Sequence, residues 1–230
     1  MVLVAIMLLL VVISAEKRPS SLHLANGETV TVWEEPGSSE VGKRVWGGAK
    51  LLSEFLQKNR DIRGIRVLEL GSGTGLLGLA AASLGGHVTM TDHHRKKDVL
   101  ENPVLNALTQ SPRGRGSRRP KVCRVRPLTW GRQSHLQRLL QQGGKPDMIL
   151  GTGVIYNTQS LPALVTTLTA LSARHTECLV AYHKKDAWAG RKSAWAHFVK
   201  LAEKDGWRTE DNVFTQPGSD FTVLRLLRAA

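Results

Sequence analysis

The residues best suited to chemistry surround a glycine-rich turn at 71–75, which reads GSGTG. The turn follows an apolar run at 66–70 that is typical of a buried strand, and it precedes a Leu- and Ala-rich segment at 76–84 that predicts a helix. Glycines let the backbone approach a ligand closely, and the start of the helix then points free N–H groups at that ligand. Glu69 lies in the strand, and Asp92 closes the next one. This arrangement predicts a site for an adenosine-containing ligand, with Asp92 accepting hydrogen bonds from ribose hydroxyls.

The spacing of the glycines separates the possible cofactors. A dinucleotide fingerprint would require a third glycine at position 76, which is Leu76. No Gly-Lys-Ser/Thr sequence follows the glycines, so a P-loop is excluded. The string ELGSGTGLLGL at 69–79 resembles motif I of the S-adenosylmethionine-dependent methyltransferases with a seven-stranded sheet. This resemblance implies S-adenosyl-L-methionine as the cofactor.

Three further segments extend the resemblance to a narrower group. The segments are VWGGA at 45–49, LTWG at 128–131 and DMILGTGVIY at 147–156. They are similar to motifs of the protein-lysine methyltransferases that act on chaperones and elongation factors, and the likeness covers roughly residues 28–207. It implies a protein-lysine N-methyltransferase whose partner is a protein with a target lysine. The implied cofactor-binding residues are Trp46, Gly71, Ser72, Gly73, Asp92, Trp130 and Thr152.

Side-chain chemistry agrees with these implied roles. Trp130 offers a flat face on which adenine can stack, and Trp46 can cover the methionine end of the cofactor. Glu69 can receive the cofactor's ammonium group, directly or through water. Each of these residues also has a purely structural alternative, since tryptophans often lie in the core and a carboxylate can stabilise a turn.

One position departs from the pattern of the related methyltransferases. Their Asp-x-x-Tyr motif reads Gly153-Val-Ile-Tyr156 in this chain. A carboxylate there would orient the lysine amine and receive its proton. Asp147 begins the predicted strand instead of ending it, so we expect it at the opposite end of the sheet. Tyr156 remains the candidate catalytic residue, as an aromatic wall or hydrogen-bond donor. The loss of the carboxylate keeps open a degenerate, cofactor-binding interaction module.

The elements that position these residues alternate between strand and helix from residue 66 onward, which predicts an α/β fold. We expect a Rossmann-like, doubly wound, mostly parallel seven-stranded sheet with an antiparallel strand near the C-terminus. An Asn-Gly hairpin at 21–34 precedes it. The predicted strands are 66–70, 88–91, 122–125, 148–150, 177–182, 208–214 and 221–227. The predicted helices are 45–59, 76–84, 98–108, 161–173 and 193–205.

Charge is concentrated in one part of the chain. The 230 residues carry 32 Lys and Arg against 19 Asp and Glu, a formal net charge of +13. Seven positive charges and no acid lie between 112 and 126. A flexible basic run can contact phosphates nonspecifically, so an RNA methyltransferase that uses this loop remains an alternative. The two cysteines, Cys123 and Cys178, lack metal-ligand spacing, and no metal site is predicted.

The first residues form a separate segment. Residues 2–15 are uncharged and apolar, which is too short for a comfortable membrane span of about 20 residues. The run is similar to the core of a signal peptide, but no Lys or Arg precedes it; a docked strand or helix and a simple extension are the alternatives. We divide the chain into this apolar segment, 1–20, and one domain, 21–230, with a basic loop insertion at 111–121. A monomer in the cytoplasm or nucleus is expected, and a secretory signal at 1–15 is less favoured.

Overall fold

A computed structural model describes residues 17–38, 41–93, 123–184 and 191–228. Two strands, β1 (Arg18–His23) and β2 (Thr29–Glu34), form an antiparallel hairpin. The remaining strands are β3 (Arg66–Leu70), β4 (His87–Asp92), β5 (Arg124–Pro127), β6 (Met148–Thr152), β7 (Glu177–His183), β8 (Trp207–Thr215) and β9 (Phe221–Arg228). The helices are α1 (Gly47–Asn59), α2 (Leu76–Ser83), α3 (Gln133–Gly143), α4 (Leu161–Leu171) and α5 (Arg191–Lys204). Short 3-10 turns occupy Val41–Lys43 and Thr158–Ser160.

The large sheet has seven strands in the order β5-β4-β3-β6-β7-β9-β8. The pairs β3–β4, β3–β6, β4–β5 and β6–β7 are parallel, whereas β9 is antiparallel to both β7 and β8. The predicted fold class is therefore confirmed, including the antiparallel strand near the C-terminus. The chain runs outward from β3 to β5 and then returns to place β6 on the other side of β3. In open parallel sheets such a reversal opens a crevice at the carboxyl ends of the strands.

Side-chain alternation along the central strands builds a core on each face of the sheet. Val67 of β3 joins the cluster beneath α1, α2 and the hairpin, while its neighbour Leu68 joins the cluster beneath α3, α4 and α5. Burial on both faces explains why these strands read as continuous apolar runs. The same alternation turns Glu69 toward α2, on the face where Val67 lies.

Most element boundaries fall within three residues of the predicted ones. The exception is helix α3, for which the sequence made no prediction. Its sequence, QSHLQRLLQQG, places Leu136, Leu139 and Leu140 at helical spacing, so the signal was present but was carried by only three apolar residues in a polar segment. The predicted helix at 98–108 and most of the basic segment at 112–126 lie outside the described residues, as does the apolar run at 2–15. No helix within the described ranges is long and apolar enough to cross a membrane.

Candidate functional site

The glycine turn lies at the carboxyl end of β3, where the strand order reverses. Gly71 and Gly73 have φ angles of +64° and +52°, in the left-handed region that favours glycine. A Cβ atom at Gly73 would come within 2.9 Å of the Gly42 carbonyl oxygen, and one at Gly71 within 3.1 Å of the Val154 side chain. Side chains at these two positions would therefore strain the backbone and collide with the residues packed on the turn.

Strand β4 holds the turn in place through its last two residues. Both the backbone N–H and the hydroxyl of Ser72 donate to the Thr91 carbonyl at 2.9 Å. The Gly73 N–H donates to Asp92 Oδ2 at 2.9 Å, and the His93 N–H donates to Oδ1 at 2.7 Å. Asp92 thus faces the glycine turn and is partly buried. Each carboxylate oxygen has two lone pairs, so both keep capacity for a ribose hydroxyl. The ribose contact itself stays a prediction.

Glu69 is a buried acid with unusual surroundings. Its side chain is 1% exposed and packs where α2 has a glycine: a Cβ at Gly78 would lie 2.5 Å from Glu69 Oε2. Neither carboxylate oxygen has a hydrogen-bond partner of normal geometry among the described residues. Burial, and then the negative charge of Asp92, raise the pKa of Glu69 to about 8, against the opposing effects of the Ser72 hydroxyl and the Gly78 N–H. Glu69 is therefore mostly protonated at neutral pH unless a cation lies beside it.

The second wall of the crevice is the carboxyl end of β6. Thr152 Oγ1 lies against the start of α1, 2.5 Å from where a Cβ of Gly48 would be. This hydroxyl is buried and has no partner in the part of the chain that the structure describes. Gly153 follows with φ +62°, is exposed, and has open space where a Cβ would lie. Tyr156 is 53% exposed. Position 153, which carries a carboxylate in the related motif, therefore has room for an aspartate side chain, but its positive φ would strain any residue other than glycine.

The two predicted tryptophans lie on opposite sides of this edge. Trp46 is the N-cap residue of α1, and the Arg44 guanidinium carbon lies 4.9 Å from the centre of its ring. Trp130 follows β5 and packs partly buried against the core beneath α3 and α4. The next residue fixes this loop, because the Gly131 N–H donates to Thr167 Oγ1 at 2.8 Å. Adenine stacking on Trp130 and coverage of the methionine end by Trp46 stay predictions.

The structure places the predicted residues at one edge of the sheet, where β3, β4, β5 and β6 end and α1 begins. Asp147 lies at the other edge, where it pairs with Arg66 at 3.1 Å and His175 at 3.2 Å, so the expectation that it is remote from the site is confirmed. Sequence reasoning missed the roles of Gly42, Gly48 and Arg44. The glycine pair after Trp46 was a signal for close packing, but it did not identify Thr152 as the contact.

Comparison with known proteins identifies the family. The lysine methyltransferase family matches residues 24–205. A protein N-lysine methyltransferase METTL21A from Danio rerio is 38% identical over 159 residues, which cover 67% of this chain and 66% of that protein. EEF1A lysine methyltransferase 3 from Mus musculus is 33% identical over 186 residues, covering 78% and 74%. The match thus spans about two thirds of the first of these relatives. The chain belongs to the lysine methyltransferase family.

Solved structures agree at the level of the fold. A T. thermophilus 16S rRNA methyltransferase in complex with AdoMet and guanosine superimposes with a TM-score of 0.62 at 17% identity, covering 93% of this chain and 51% of that one. Aeropyrum pernix fibrillarin with bound S-adenosyl-L-methionine gives 0.57 at 13% identity, covering 90% and 93%. The predictions of the methyltransferase family and of S-adenosylmethionine as cofactor are confirmed.

The residues at the edge of the sheet fit this cofactor. The backbone of the glycine turn is packed too closely against Gly42 and Val154 to accept a Cβ, and Asp92 borders it with free acceptor capacity. Three buried polar groups around it have no hydrogen-bond partner within the described segments: the Glu69 carboxylate, the Thr152 hydroxyl and Arg44 Nε. Buried polar groups are rarely left unsatisfied in proteins, and these three are compatible with a ligand that carries an ammonium, a carboxylate and hydroxyls.

Proposed function

We propose that this protein transfers the methyl group of S-adenosylmethionine to the side-chain amine of a lysine in a protein substrate. Support comes from the family match over 24–205 and from the relatives, whose names describe lysine methylation. The observation that carries the proposal is the bond from the Gly73 N–H to the Asp92 carboxylate, which puts a ribose-type acceptor beside the glycine turn. The proposed site residues are those predicted from sequence, with Tyr156 at the acceptor side.

The residues of this chain would act mainly by positioning. The bound cofactor supplies an electrophilic methyl group on a sulfonium, and the reaction needs a neutral amine held in line with it. Gly153 provides no carboxylate to receive the amine's proton, so we propose that the proton passes to water at this exposed edge. The ring of Tyr156, which is half exposed, would border the lysine chain and keep it extended.

We further propose a soluble monomer in a reducing compartment, the cytoplasm or the nucleus. Cys123 and Cys178 are both unpaired thiols, and Cys178 is buried within β7. Free buried thiols agree with a cytoplasmic or nuclear location, since disulfides form mainly in oxidising compartments. Localisation of a tagged full-length chain in cells tests this; delivery to the secretory pathway would contradict it.

A second candidate function is a cofactor-binding interaction module without turnover. It is favoured by Gly153, which leaves the acceptor side without the carboxylate of the related motif. RNA methylation is the alternative motivated by the basic segment at 112–126, most of which lies outside the described residues.

One labelling experiment separates these functions. The full chain is incubated with S-adenosylmethionine carrying a radiolabelled methyl group and with cell extract, treated in parallel with ribonuclease or protease. We expect label that resists ribonuclease and is lost with protease, with methyllysine identified by mass spectrometry. Label lost with ribonuclease would contradict protein methylation. Cofactor binding without any label would support the binding module.

The matched controls are two glycine variants. Gly73→Ala brings a Cβ against Gly42 at a positive φ, and should abolish labelling. Gly64→Ala introduces the same change at φ +77° with open space around it, and should keep labelling. Equal loss in both variants would indicate a general folding defect, which circular dichroism detects.

A further inference from the structure

The segment before α1 crosses the crevice at which the strand order reverses. At one end, the Gly42 carbonyl oxygen lies 2.9 Å from the position of a Cβ on Gly73, beyond the end of β3. At the other end, Gly48 packs against Thr152, at the end of β6. Residues 43–47 must therefore pass over the gap between these two strands. Arg44 is on this crossing.

The Arg44 side chain is held against an aromatic ring. Its guanidinium carbon lies 4.9 Å from the centre of the Trp46 ring, a cation–π distance. Its Nε is buried and has no hydrogen-bond partner among the described residues. A buried cationic donor without an acceptor is costly, so the arrangement needs an acceptor that the described chain does not supply.

The nearby acids are already engaged elsewhere. Glu34 Oε2 accepts the Val45 N–H at 2.7 Å. Glu35 pairs with Lys43 at 3.4 Å. Helix α1 has no acidic residue in its first turn, and Trp46 makes no side-chain capping bond. The start of α1 therefore has no acid of its own to oppose the helix dipole, which favours an anion near Arg44.

We propose that Arg44 binds the α-carboxylate at the methionine end of S-adenosylmethionine, and so selects ligands that carry an intact amino-acid group. The inference rests on the proposed function, because it assumes that cofactor in this crevice. A guanidinium offers paired donors that match the two oxygens of a carboxylate. Glu69 is the complementary group, a buried carboxylate that lacks a cation. The Arg44 guanidinium and a Glu69 carboxyl that ionises when a cation lies beside it would complement the carboxylate and the ammonium of an amino-acid end. Arg44 is thus a specificity-determining residue, held in position by Trp46.

Binding measurements with three ligands test the proposal without any turnover. S-adenosylhomocysteine carries the full amino acid, its decarboxylated analogue lacks only the carboxylate, and 5′-methylthioadenosine lacks the amino-acid group. Calorimetry is run on wild type, on Arg44→Met, which keeps the length of the chain, and on Arg44→Lys, which keeps the charge. Arg174→Met is the control, because Arg174 is an exposed arginine in the loop between α4 and β7.

We expect Arg44→Met to weaken the binding of S-adenosylhomocysteine about tenfold or more, because the substitution removes a charge-assisted bidentate pair. The decarboxylated analogue and methylthioadenosine lack the carboxylate that would pair with Arg44. Each of them should therefore bind Arg44→Met with an affinity within about twofold of its affinity for wild type. Arg44→Lys should bind S-adenosylhomocysteine with an affinity between the two. Arg174→Met should match wild type with every ligand.

Two results would overturn the proposal: unchanged S-adenosylhomocysteine affinity in Arg44→Met, or an equal loss for all three ligands, which would mean that Arg44 only supports Trp46. Failure of wild type to bind S-adenosylhomocysteine would contradict the proposed function itself. Urea unfolding midpoints for each variant, and the retained methylthioadenosine affinity, report whether the crevice is folded.

Discussion

Polar and charged side chains are bonded differently at the amino ends and at the carboxyl ends of the parallel strands, here called the amino edge and the carboxyl edge of the sheet. At the edge where β3, β6 and β7 begin, Glu177 accepts from Arg60 at 2.6 and 2.9 Å and pairs with Arg225 at 2.6 Å. Asp147 there pairs with Arg66, whose guanidinium is the main cause that holds the pKa of this carboxyl below its ordinary value. At the opposite edge, Glu69, Thr152 and Arg44 have buried polar atoms with no partner among the described residues.

We attribute this difference in pairing to ligand binding at the carboxyl edge and to stabilisation of the fold at the amino edge. Opposite charges at the amino edge lie within ion-pair distance and stabilise the folded chain, although Arg225 Nε lacks hydrogen-bond geometry toward Glu177. Unpaired groups at the carboxyl edge lower its stability, and they are expected where a ligand completes the bonding. The comparison implies that substitutions at the carboxyl edge change ligand binding, whereas substitutions at the amino edge change stability.

The largest expected effect is on ligand affinity. Asp92→Ala removes the acceptor of the Gly73 N–H and of the predicted ribose contact. It should therefore weaken the binding free energy of S-adenosylhomocysteine by about 1.5–3 kcal/mol. Asp147→Ala, the matched change at the amino edge, should leave affinity unchanged and lower the urea midpoint. Calorimetry and urea unfolding measure both. Intact binding in Asp92→Ala would remove Asp92 from the site.

The next effect is on stability. Burial opposes ionisation of Glu177, but the hydrogen bonds from Arg60 and the charges of Arg60 and Arg225 outweigh it and hold the pKa of Glu177 below its usual 4.5. Glu177→Gln leaves both arginines without this carboxylate and should lower the free energy of unfolding by about 2 kcal/mol at pH 7. Because the folded pKa is lowered, this difference should shrink as the pH falls below 4.5. A variant as stable as wild type at pH 7 would contradict the role assigned to this edge.

A smaller effect is predicted for the rate of methyl transfer. Gly153→Asp restores a carboxylate at the acceptor side, where a Cβ meets open space, and should raise the rate about tenfold. Because Gly153 has φ +62°, the variant should also lose roughly 1 kcal/mol of stability. Gly64→Asp, at φ +77° on the other edge, should show the loss of stability without the gain in rate. An unchanged or lower rate would show that the missing carboxylate does not limit turnover.

The smallest predicted effect is the number of protons released when the ligand binds. At pH 7 a Glu69 with a pKa of about 8 is mostly protonated, and an ammonium group beside it should drive ionisation. Binding of S-adenosylhomocysteine should then release close to one proton, measured by calorimetry in buffers of different ionisation enthalpy. Glu69→Gln should abolish this release. Equal release by both proteins would place the proton on another group.

Glu69 also predicts how the ligand-free protein responds to pH. Its pKa is raised from 4.5 to about 8, so between these values the folded state binds a proton that the unfolded state has lost. The free energy of unfolding should therefore fall as pH rises from 5 to 8, and Glu69→Gln should flatten that decline. A profile that stays the same in both proteins would contradict the burial of this carboxyl.

Much of the fold could be predicted from local patterns in the sequence. The apolar strand at 66–70, the glycine turn and the helix at 76–84 are contiguous, so their types and spacing were enough to place them. Helix α3 was not predicted, although its three leucines have helical spacing, because a short polar segment forms a helix only when those leucines pack against the core. The replacement of the motif's carboxylate by Gly153 was also visible in the sequence, but its positive φ was not, since glycine adopts either sign.

The sequence by itself predicted the fold class from its apolar periodicity, and the methyltransferase family from its resemblance to known motifs, because both signals lie in short stretches of chain. Tertiary structure alone decided which polar groups are satisfied. Asp147 and Glu69 are both acids beside strands, yet only packing gives Asp147 an arginine and buries Glu69 against Gly78. Hydrogen bonding depends on distances of a few ångströms between residues far apart in the chain, and those distances exist only after the sheet has assembled.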